Sequence, residues 1–268
     1  MKNTNVYRIS KILGLVRHVV GVKFIDFKED FDALDYPMAP KKGSWCYLVR
    51  TAMDGQIFKA DENSITCDYS KYALGLSKPD TTISEGRSYH FCGLYESNAI
   101  AKNITKTMRY PEHSIAGVVV GPLEMMEDAD VVIICDNAEV MMRIMQGYGY
   151  KYGNPENLSF FGNQAMCADL TSKPYSNNDI NISMFCKGTR QYGRFDSGEL
   201  GAAFPISMFD NIAEGIIKTM NVVSYNDEKR KILDSLDNED DLGVEIKFNC
   251  TYGQGLIEHD TAAYRKRK

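Results

Sequence analysis

Four of the seven cysteines in this 268-residue chain form two similarly spaced pairs. Cys46 and Cys67 make up the first pair, and Cys167 and Cys186 repeat nearly the same spacing in the second half of the chain. Thiolate sulfur is the ligand type that soft metals and iron–sulfur clusters prefer. If the two pairs converge in the fold, the pattern predicts a four-cysteine site for an iron–sulfur cluster or a soft metal.

Cysteines also serve in ways that need no metal, and two such roles stay open. Free cysteine is common in protein cores as a small apolar residue, so the four thiols can be inert packing groups. Alternatively, Cys186 is a nucleophile or redox-active thiol, because Lys187 and Arg190 beside it would lower its pKa and favour the reactive thiolate. His113 is the best candidate for its base. The chain has no Cys-x-x-Cys motif, which familiar cluster proteins use, so these alternatives remain.

The segment CKGTR (186–190) is also typical of a site for an anion. A glycine permits close approach of the backbone, and two cations can grip a carboxylate or a phosphate. Arg50, Lys187 and Arg190 are therefore predicted either to tune a thiolate centre or to bind a small anionic molecule. The alternative function is a metal-free ligand-binding protein with a cleft between two halves of the chain, and a cysteine-dependent transferase is the third.

The composition argues against several other classes of protein. A net charge of −5 disfavours a surface built for nucleic acid. The chain contains no run of about 18 apolar residues, the length that a membrane span needs. Lys11 and Arg17 interrupt the N-terminal segment where a signal peptide would need an apolar core. An odd number of scattered cysteines is not a disulfide framework. We expect a cytoplasmic protein whose partner is a small anionic molecule or a redox protein, and homo-oligomerisation stays open.

The elements predicted around the cysteines are alternating helices and strands. Apolar periodicity predicts helices over 45–55 and 162–171, each carrying one cysteine. Residues 56–67 are predicted to run through a strand and a turn into Cys67, and a strand over 179–186 ends at Cys186. The glycine-rich segment 198–205 is interpreted as a turn. Further strands are predicted over 19–27, 114–123 and 128–135, and further helices over 7–18, 137–150 and 207–220.

A comparison of the two halves of the chain indicates an internal duplication. The segment IAKNITKTM (100–108) matches IAEGIIKTM (212–220), and GVKFIDF occupies the place in the first half that DVVIICD holds in the second. The offset between the halves drifts smoothly through the cysteines and these segments, as small deletions in loops would produce.

The same landmarks carry a resemblance to a known family. A GVKF strand leads to Cys46, Arg50, Ala52 and Gly55, and the later segments include GLYES, GVVVGPL, DADVVIICDNAEVMM and CKGTR with Glu199 nearby. Over roughly residues 10–222 the chain resembles domain of unknown function 169, an uncharacterised family of bacterial and archaeal proteins. Members often have Cys-Pro-x-Gly at the second cysteine, where this chain has CDYS. The family has no settled activity, so the resemblance implies a fold grouping rather than a function.

Together these patterns predict an α+β fold. Residues 1–223 are expected to form one core of two tandem pseudo-repeats, at about 19–118 and 128–222, with helices over mixed sheets. Residues 224–268 are expected to be a C-terminal extension. The leading functional hypothesis is a cytoplasmic redox protein of anaerobic type that holds an iron–sulfur cluster or soft metal through the four paired cysteines. Whether the protein is an enzyme stays open.

Overall fold

The computed structural model describes residues 2–78, 80–107, 111, 114–220, 226–237, 248–251 and 256–259. They form helices, a six-stranded antiparallel sheet and a two-stranded sheet, which confirms the predicted α+β class. The helices are α1 (Lys2–Leu13), α2 (Lys28–Ala33), α3 (Trp45–Met53), α4 (Asp68–Ala73), α5 (Thr81–Ser84), α6 (Arg87–Phe91), α7 (Asn98–Thr107), α8 (Ala138–Tyr152), α9 (Lys173–Asn177), α10 (Lys187–Gly193), α11 (Ile206–Thr219) and α12 (Asn226–Asp237). The strands are β1 (Val20–Ile25), β2 (Phe58–Ala60), β3 (Gly117–Pro122), β4 (Val131–Asn137), β5 (Asn181–Ser183), β6 (Glu199–Pro205), β7 (Phe248–Thr251) and β8 (Leu256–His259). A 3₁₀ turn covers Leu123–Met125, and a π-helix covers Ala165–Ser172.

The described residues divide into two compact units. The first, called here the helical unit, comprises the described parts of Met1–Val16, Glu139–Asn154 and Asp210–Lys268. The second, called the sheet unit, comprises the described parts of Arg17–Ala138 and Pro155–Phe209. All six strands of the large sheet and all four paired cysteines belong to the sheet unit. Within the described residues, no helix has both the length and the apolar character needed to cross a membrane.

The large sheet has the strand order β2-β3-β1-β4-β6-β5, and every neighbouring pair is antiparallel rather than mixed. From one edge to the centre the strands run β2, β3, β1, and from the other edge they run β5, β6, β4. In both cases the second strand of three in the chain lies at the edge, and the first lies at the centre. At the centre β1 and β4 pair with each other, with Val20 opposite Ile133 and Val22 opposite Val131. GVKFIDF and DVVIICD supply these two central strands. This arrangement is the one a duplication would give, and the duplication itself stays a prediction.

The second sequence match does not fall on equivalent elements. The described part of 100–108 lies in α7, which precedes β3, whereas 212–220 lies mostly in α11, which follows β6. In the chain, the matching helix therefore comes before the third strand in the first half and after the third strand in the second half. The similarity of these two segments has to come from the apolar spacing that amphipathic helices share.

Segment 198–205, interpreted from its glycines as a turn, is a strand, and that interpretation was wrong. Gly201 lies within β6, where an added Cβ would stand 2.3 Å from Leu170 Cδ1 and 3.0 Å from the Phe185 ring. The glycine is needed for close approach of the π-helix to the sheet rather than for a chain reversal. The neighbouring Ala202, Ala203 and Phe204 are fully buried.

Two helices of the helical unit touch through their backbones. A Cβ added at Gly147 of α8 would lie 2.6 Å from Ile216 Cγ1 and 2.8 Å from the Ile212 carbonyl oxygen. The buried Arg143 guanidinium donates to the backbone oxygens of Ile216 at 3.1 Å and Thr219 at 2.8 Å. Arg143 thus satisfies carbonyls in the last turn of α11, which that helix cannot satisfy itself.

Substituting glycine by alanine at two positions of α8 is expected to give opposite results. Gly147→Ala forces backbone atoms apart and should destabilise the protein by about 1–3 kcal/mol. Gly149 lies two residues away with nothing within 4 Å of an added Cβ, so Gly149→Ala should stabilise it by about 0.4–1 kcal/mol. Urea unfolding of both variants measures the difference, and shifts of the same sign would contradict the close packing of α8 on α11.

Candidate functional site

Cys46 lies in the first turn of α3, as predicted, and faces the core. The helix begins after Ser44, whose hydroxyl accepts a hydrogen bond from the Tyr47 amide at 3.3 Å. Cys46 is only 8% exposed. The adjacent Trp45 is fully buried, and its indole N–H donates to Thr171 Oγ1 at 3.0 Å. This bond ties α3 to the π-helix, which carries the next cysteine of the site.

Cys167 lies in the π-helix rather than in the α-helix predicted over 162–171. Every residue of the π-helix is buried. The preceding Gln164 takes a left-handed conformation with φ 46°, and the Thr171 hydroxyl donates to the Met166 carbonyl oxygen, five residues back, at 2.7 Å. Such widened turns are rare and concentrate at functional sites.

A buried ion pair braces the π-helix. Lys173 donates to Asp169 Oδ1 at 2.7 Å, and both side chains are almost fully buried. The Ser183 hydroxyl donates to the other oxygen, Asp169 Oδ2, at 2.9 Å. Burial raises the pKa of Asp169 to about 6, against the opposing effect of Lys173. Above that pH the carboxylate is ionised and compensates the buried ammonium.

Cys67 and Cys186 precede the short helices α4 and α10. Strand β2 ends at Ala60, and irregular chain leads from it to Cys67. Strand β5 ends at Ser183, so the strand predicted to end at Cys186 is too long. Each cysteine is the N-cap of its helix, and both are partly exposed. Cys186 Sγ accepts a hydrogen bond from the Thr189 amide at 3.3 Å, whereas the Cys67 side chain makes no capping bond.

The residue before Cys186 has an unusual backbone. Phe185 adopts φ 66°, a region that costs a bulky side chain free energy. Its amide donates to Ser183 Oγ at 3.2 Å, its ring lies 4.8 Å from that of Phe195, and Arg190 lies over it. These contacts hold a conformation that directs the chain from β5 into α10, and so they fix where the Cys186 thiol lies.

The four paired cysteines converge, and we call Cys46, Cys67, Cys167 and Cys186 the thiol cluster. Cys46 Sγ and Cys186 Sγ each lie 3.3 Å from Thr189 Oγ1, so the two sulfurs are no further apart than twice that distance. The segments that carry the other two cysteines pack there as well, since α4, which follows Cys67, contacts the π-helix that carries Cys167, and this π-helix contacts α3. The thiols are therefore close enough to interact, although they come from four separate chain segments.

Burial keeps two of these thiols in the neutral form. It raises the pKa of Cys46 to about 12, opposed by the Thr189 hydroxyl and reinforced by charge on Cys186 and Cys67. It raises the pKa of Cys167 well above its usual range, with a smaller contribution from the neighbouring cysteines and an opposing hydrogen bond from Ser70. A bound cation can remove these protons, because metal coordination deprotonates a thiol.

The described residues show no ready-formed site for a single metal ion. Among the described residues, no group of three or more His, Cys, Asp or Glu side chains has the arrangement of a metal site. A single ion bound by thiolates at about 2.3 Å, the zinc–sulfur distance, would have to draw the four sulfurs together. In a polynuclear cluster each thiolate binds a different iron, so the sulfurs can remain further apart.

The predicted cations mostly bind the backbone. Arg190 donates to the carbonyl oxygens of Met184 at 2.8 Å and Glu199 at 3.3 Å, and also to that of Asp196. Arg50 donates to the Arg194 carbonyl oxygen at 2.9 Å and pairs with Asp54 at 3.1 Å. Its charge opposes the raised pKa of Cys135, which burial causes. Lys187 is exposed to solvent.

The remaining cysteines lie outside the thiol cluster as far as the described residues extend. Both Cys92 and Cys135 have sequence surroundings typical of packed cysteines in apolar strands. Cys135 is buried in β4, whereas Cys92 is exposed at the end of α6, so that interpretation is wrong for Cys92. The side chain of Cys250 lies outside the described residues, and so does His113, the candidate base for Cys186.

Two residues of the site were missed by sequence reasoning, and both were detectable. Ser70 and Thr189 each follow a cluster cysteine by three residues, in CDYS and CKGT. Both are almost fully buried, and Thr189 places its hydroxyl 3.3 Å from the Cys46 thiol of the other predicted half. The shared Cys-x-x-Ser/Thr spacing was the available signal.

The fold and the site define an α+β protein with an antiparallel sheet and a buried thiol cluster. The chain belongs to the DUF169 family, described as an uncharacterised ArCR, whose sequence profile matches residues 8–215. It is similar to uncharacterized protein MJ0308 of Methanocaldococcus jannaschii, with 23% identity over 215 residues, 79% of this chain and 92% of that protein. No solved structure matches the chain.

Removing the buried carboxylate should strongly destabilise the sheet unit. Asp169→Asn leaves the Lys173 ammonium buried without a charge partner, which should cost about 3–5 kcal/mol at pH 7. The matched control is Asp32→Asn, which breaks an exposed Lys28–Asp32 pair of the same i,i+4 spacing and should change stability by less than about 0.5 kcal/mol. Urea unfolding compares them, and equal small losses would contradict the role of the pair.

The raised pKa of Cys46 predicts a loss of stability in alkali. The unfolded thiol ionises near pH 9.0 and the folded one near 12, so the contribution is complete below pH 9 and falls as pH rises towards 12 by at most about 1.4 kcal/mol per unit. The Cys46→Ala variant has no thiol at this position, so it lacks this pH-dependent contribution to the free energy of unfolding. The stability difference between the metal-free wild type and Cys46→Ala should therefore shrink between pH 8 and pH 10.5, measured by urea unfolding with reductant. A stability difference that stays constant over this pH range would contradict the raised pKa of Cys46.

Proposed function

We propose that the protein is a redox protein that binds an iron–sulfur cluster, or a soft metal ion, through Cys46, Cys67, Cys167 and Cys186. The observation that carries the proposal is the convergence of four thiols from four separate chain segments. Core packing alone does not require four cysteines to lie together, because other small apolar residues can fill the same core positions. Soft-metal chemistry does require it, because several thiolates must reach one centre.

The unequal exposure of the four thiols supports the same function. Cys46 and Cys167 are buried, so they would exclude water from one side of the centre, whereas the partly exposed Cys67 and Cys186 would leave a route for a metal, a cluster or an electron to enter. Burial and solvent access are among the factors that set the potential of a cluster. The exposed Lys187 lies beside the more accessible side, where positive charge would offset that of the thiolates.

The braced surroundings of the thiols are a further support. The π-helix around Cys167 and the left-handed Phe185 before Cys186 are both costly local conformations. The Asp169–Lys173 pair and the Trp45–Thr171 bond stabilise them. A preorganised ligand set binds its centre without first being ordered, which favours affinity.

The test is anaerobic purification followed by measurement of iron, acid-labile sulfide, zinc and the visible spectrum. We expect either near-stoichiometric iron and sulfide with a brown colour, or one bound soft metal ion. Serine substitution of each cysteine of the thiol cluster should remove most of the bound centre. Cys92→Ser is the matched control, because Cys92 lies outside the cluster, and it should bind as the wild type does.

Circular dichroism of every variant separates loss of the centre from loss of the fold. Folded wild-type protein that binds neither cluster nor metal, even after incubation with ferrous iron plus sulfide or with zinc, would overturn the proposal. Equal loss of the centre in Cys92→Ser and in the four cluster variants would also overturn the assignment of ligands.

A further inference from the structure

We propose that Cys186 is an oxidation site and that Cys46 is its resolving thiol, so that the two form a reversible disulfide when the protein meets a peroxide. The inference does not rest on the proposed function, because it concerns these two side chains in the metal-free chain. It rests on the contact of both sulfurs with one atom, the Thr189 hydroxyl oxygen, and on the different access of solvent to each thiol.

The Thr189 hydroxyl places the two sulfurs beside each other. Its oxygen lies 3.3 Å from Cys46 Sγ and 3.3 Å from Cys186 Sγ, so the sulfurs are separated by at most twice that distance. A disulfide needs about 2.05 Å between them. Rotation about the Cα–Cβ bond moves each sulfur between staggered positions, and this is the movement that closes the gap.

The two helices next to these thiols are fastened to each other. One turn after Cys46 in α3, Arg50 donates to the carbonyl oxygens of Gly193 at 3.5 Å and Arg194 at 2.9 Å, at the end of α10. A Cβ added at Gly193 would lie 3.1 Å from the Cys46 carbonyl oxygen, so the two backbones are in contact. A disulfide requires Cα atoms within about 7 Å of each other, and this close packing of α3 on α10 favours such a separation.

Solvent access determines which of the two thiols is oxidised first. Cys186 is partly exposed and lies between the exposed Met184 and Lys187, so a small peroxide can reach its sulfur. Cys46 is buried, and burial raises its pKa to about 12, which keeps it in the thiol form that reacts slowly. An accessible cysteine beside a second, resolving cysteine is the arrangement of many redox sensors.

The chemistry consists of two balanced steps. The Cys186 sulfur attacks one oxygen of hydrogen peroxide, the O–O bond breaks, and the products are a sulfenic acid and water. The Cys46 sulfur then attacks the Cys186 sulfur: the S–S bond forms, the S–O bond breaks, and the Cys46 proton leaves with the departing oxygen as water. The peroxide is reduced and the pair of thiols is oxidised. A dithiol such as dithiothreitol reverses the reaction by thiol–disulfide exchange.

The test treats the reduced, metal-free, full-length protein with an equimolar amount of hydrogen peroxide under argon. Remaining thiols are blocked with iodoacetamide, and peptide mapping by mass spectrometry without reductant locates the new bond. We expect a Cys46–Cys186 disulfide within one chain in most wild-type molecules, and its loss after addition of dithiothreitol.

Single substitutions assign the role of each thiol. Cys186→Ser should abolish the disulfide and leave Cys46 reduced. Cys46→Ser should also abolish it, but the Cys186 sulfenic acid should then persist and react with dimedone, a reagent for that group. Cys92→Ser is the matched control, because Cys92 is exposed and lies outside the thiol cluster, and it should form the disulfide as the wild type does.

Several results would overturn the inference: a bond from Cys186 to Cys67 or Cys167, a bond between two chains, or a folded wild type in which Cys186 stays reduced while Cys92 is oxidised. Mapping of the wild type decides the matter even if Cys46→Ser does not fold. The measurement uses no iron, zinc or sulfide, so its failure and the failure of the proposed function are separate results.

Discussion

Burial of the Cys46 and Cys167 sulfurs is the constraint on which the rest of the site depends. A thiolate loses its hydration inside the core, so it either keeps its proton or needs a compensating cation. Both sulfurs lie within the hydrophobic cluster that α3 and the π-helix form against the sheet. The Thr189 hydroxyl, 3.3 Å from Cys46 Sγ, lowers this cost at one of the two sulfurs. A bound metal would replace the protons of both.

The antiparallel sheet brings together segments that are far apart in the chain. Its central strands β1 and β4 come from different halves, and each half contributes one helix at the core and one short helix that begins after a cysteine. Packing then crosses between the halves, since α3 contacts α10 and α4 contacts the π-helix. The buried thiol of Cys46 therefore meets the Thr189 hydroxyl of the opposite half.

The sequence allowed several of these features to be predicted from local patterns. The α+β class followed from apolar periodicity, and α3 was confirmed at nearly its predicted bounds because its period and its Ser44 cap agree. Strand β6 was missed, because a glycine needed for close approach looks the same in sequence as a glycine in a turn. The strand before Cys186 was predicted too long, because the apolar Met184 and Phe185 follow Ser183, the last residue of β5 paired with β6.

By itself the sequence determined which residue types recur at matching intervals: four cysteines in two pairs, and a serine or threonine three residues after two of them. Those intervals are local, and they specify helices, caps and periodicity. Only the tertiary structure decided that the pairs meet, that Cys167 lies in a π-helix, and that Arg50 and Arg190 bind mainly backbone carbonyls. These outcomes depend on contacts between distant segments, whose free energies come from burial and shape rather than from any residue's neighbours in the chain.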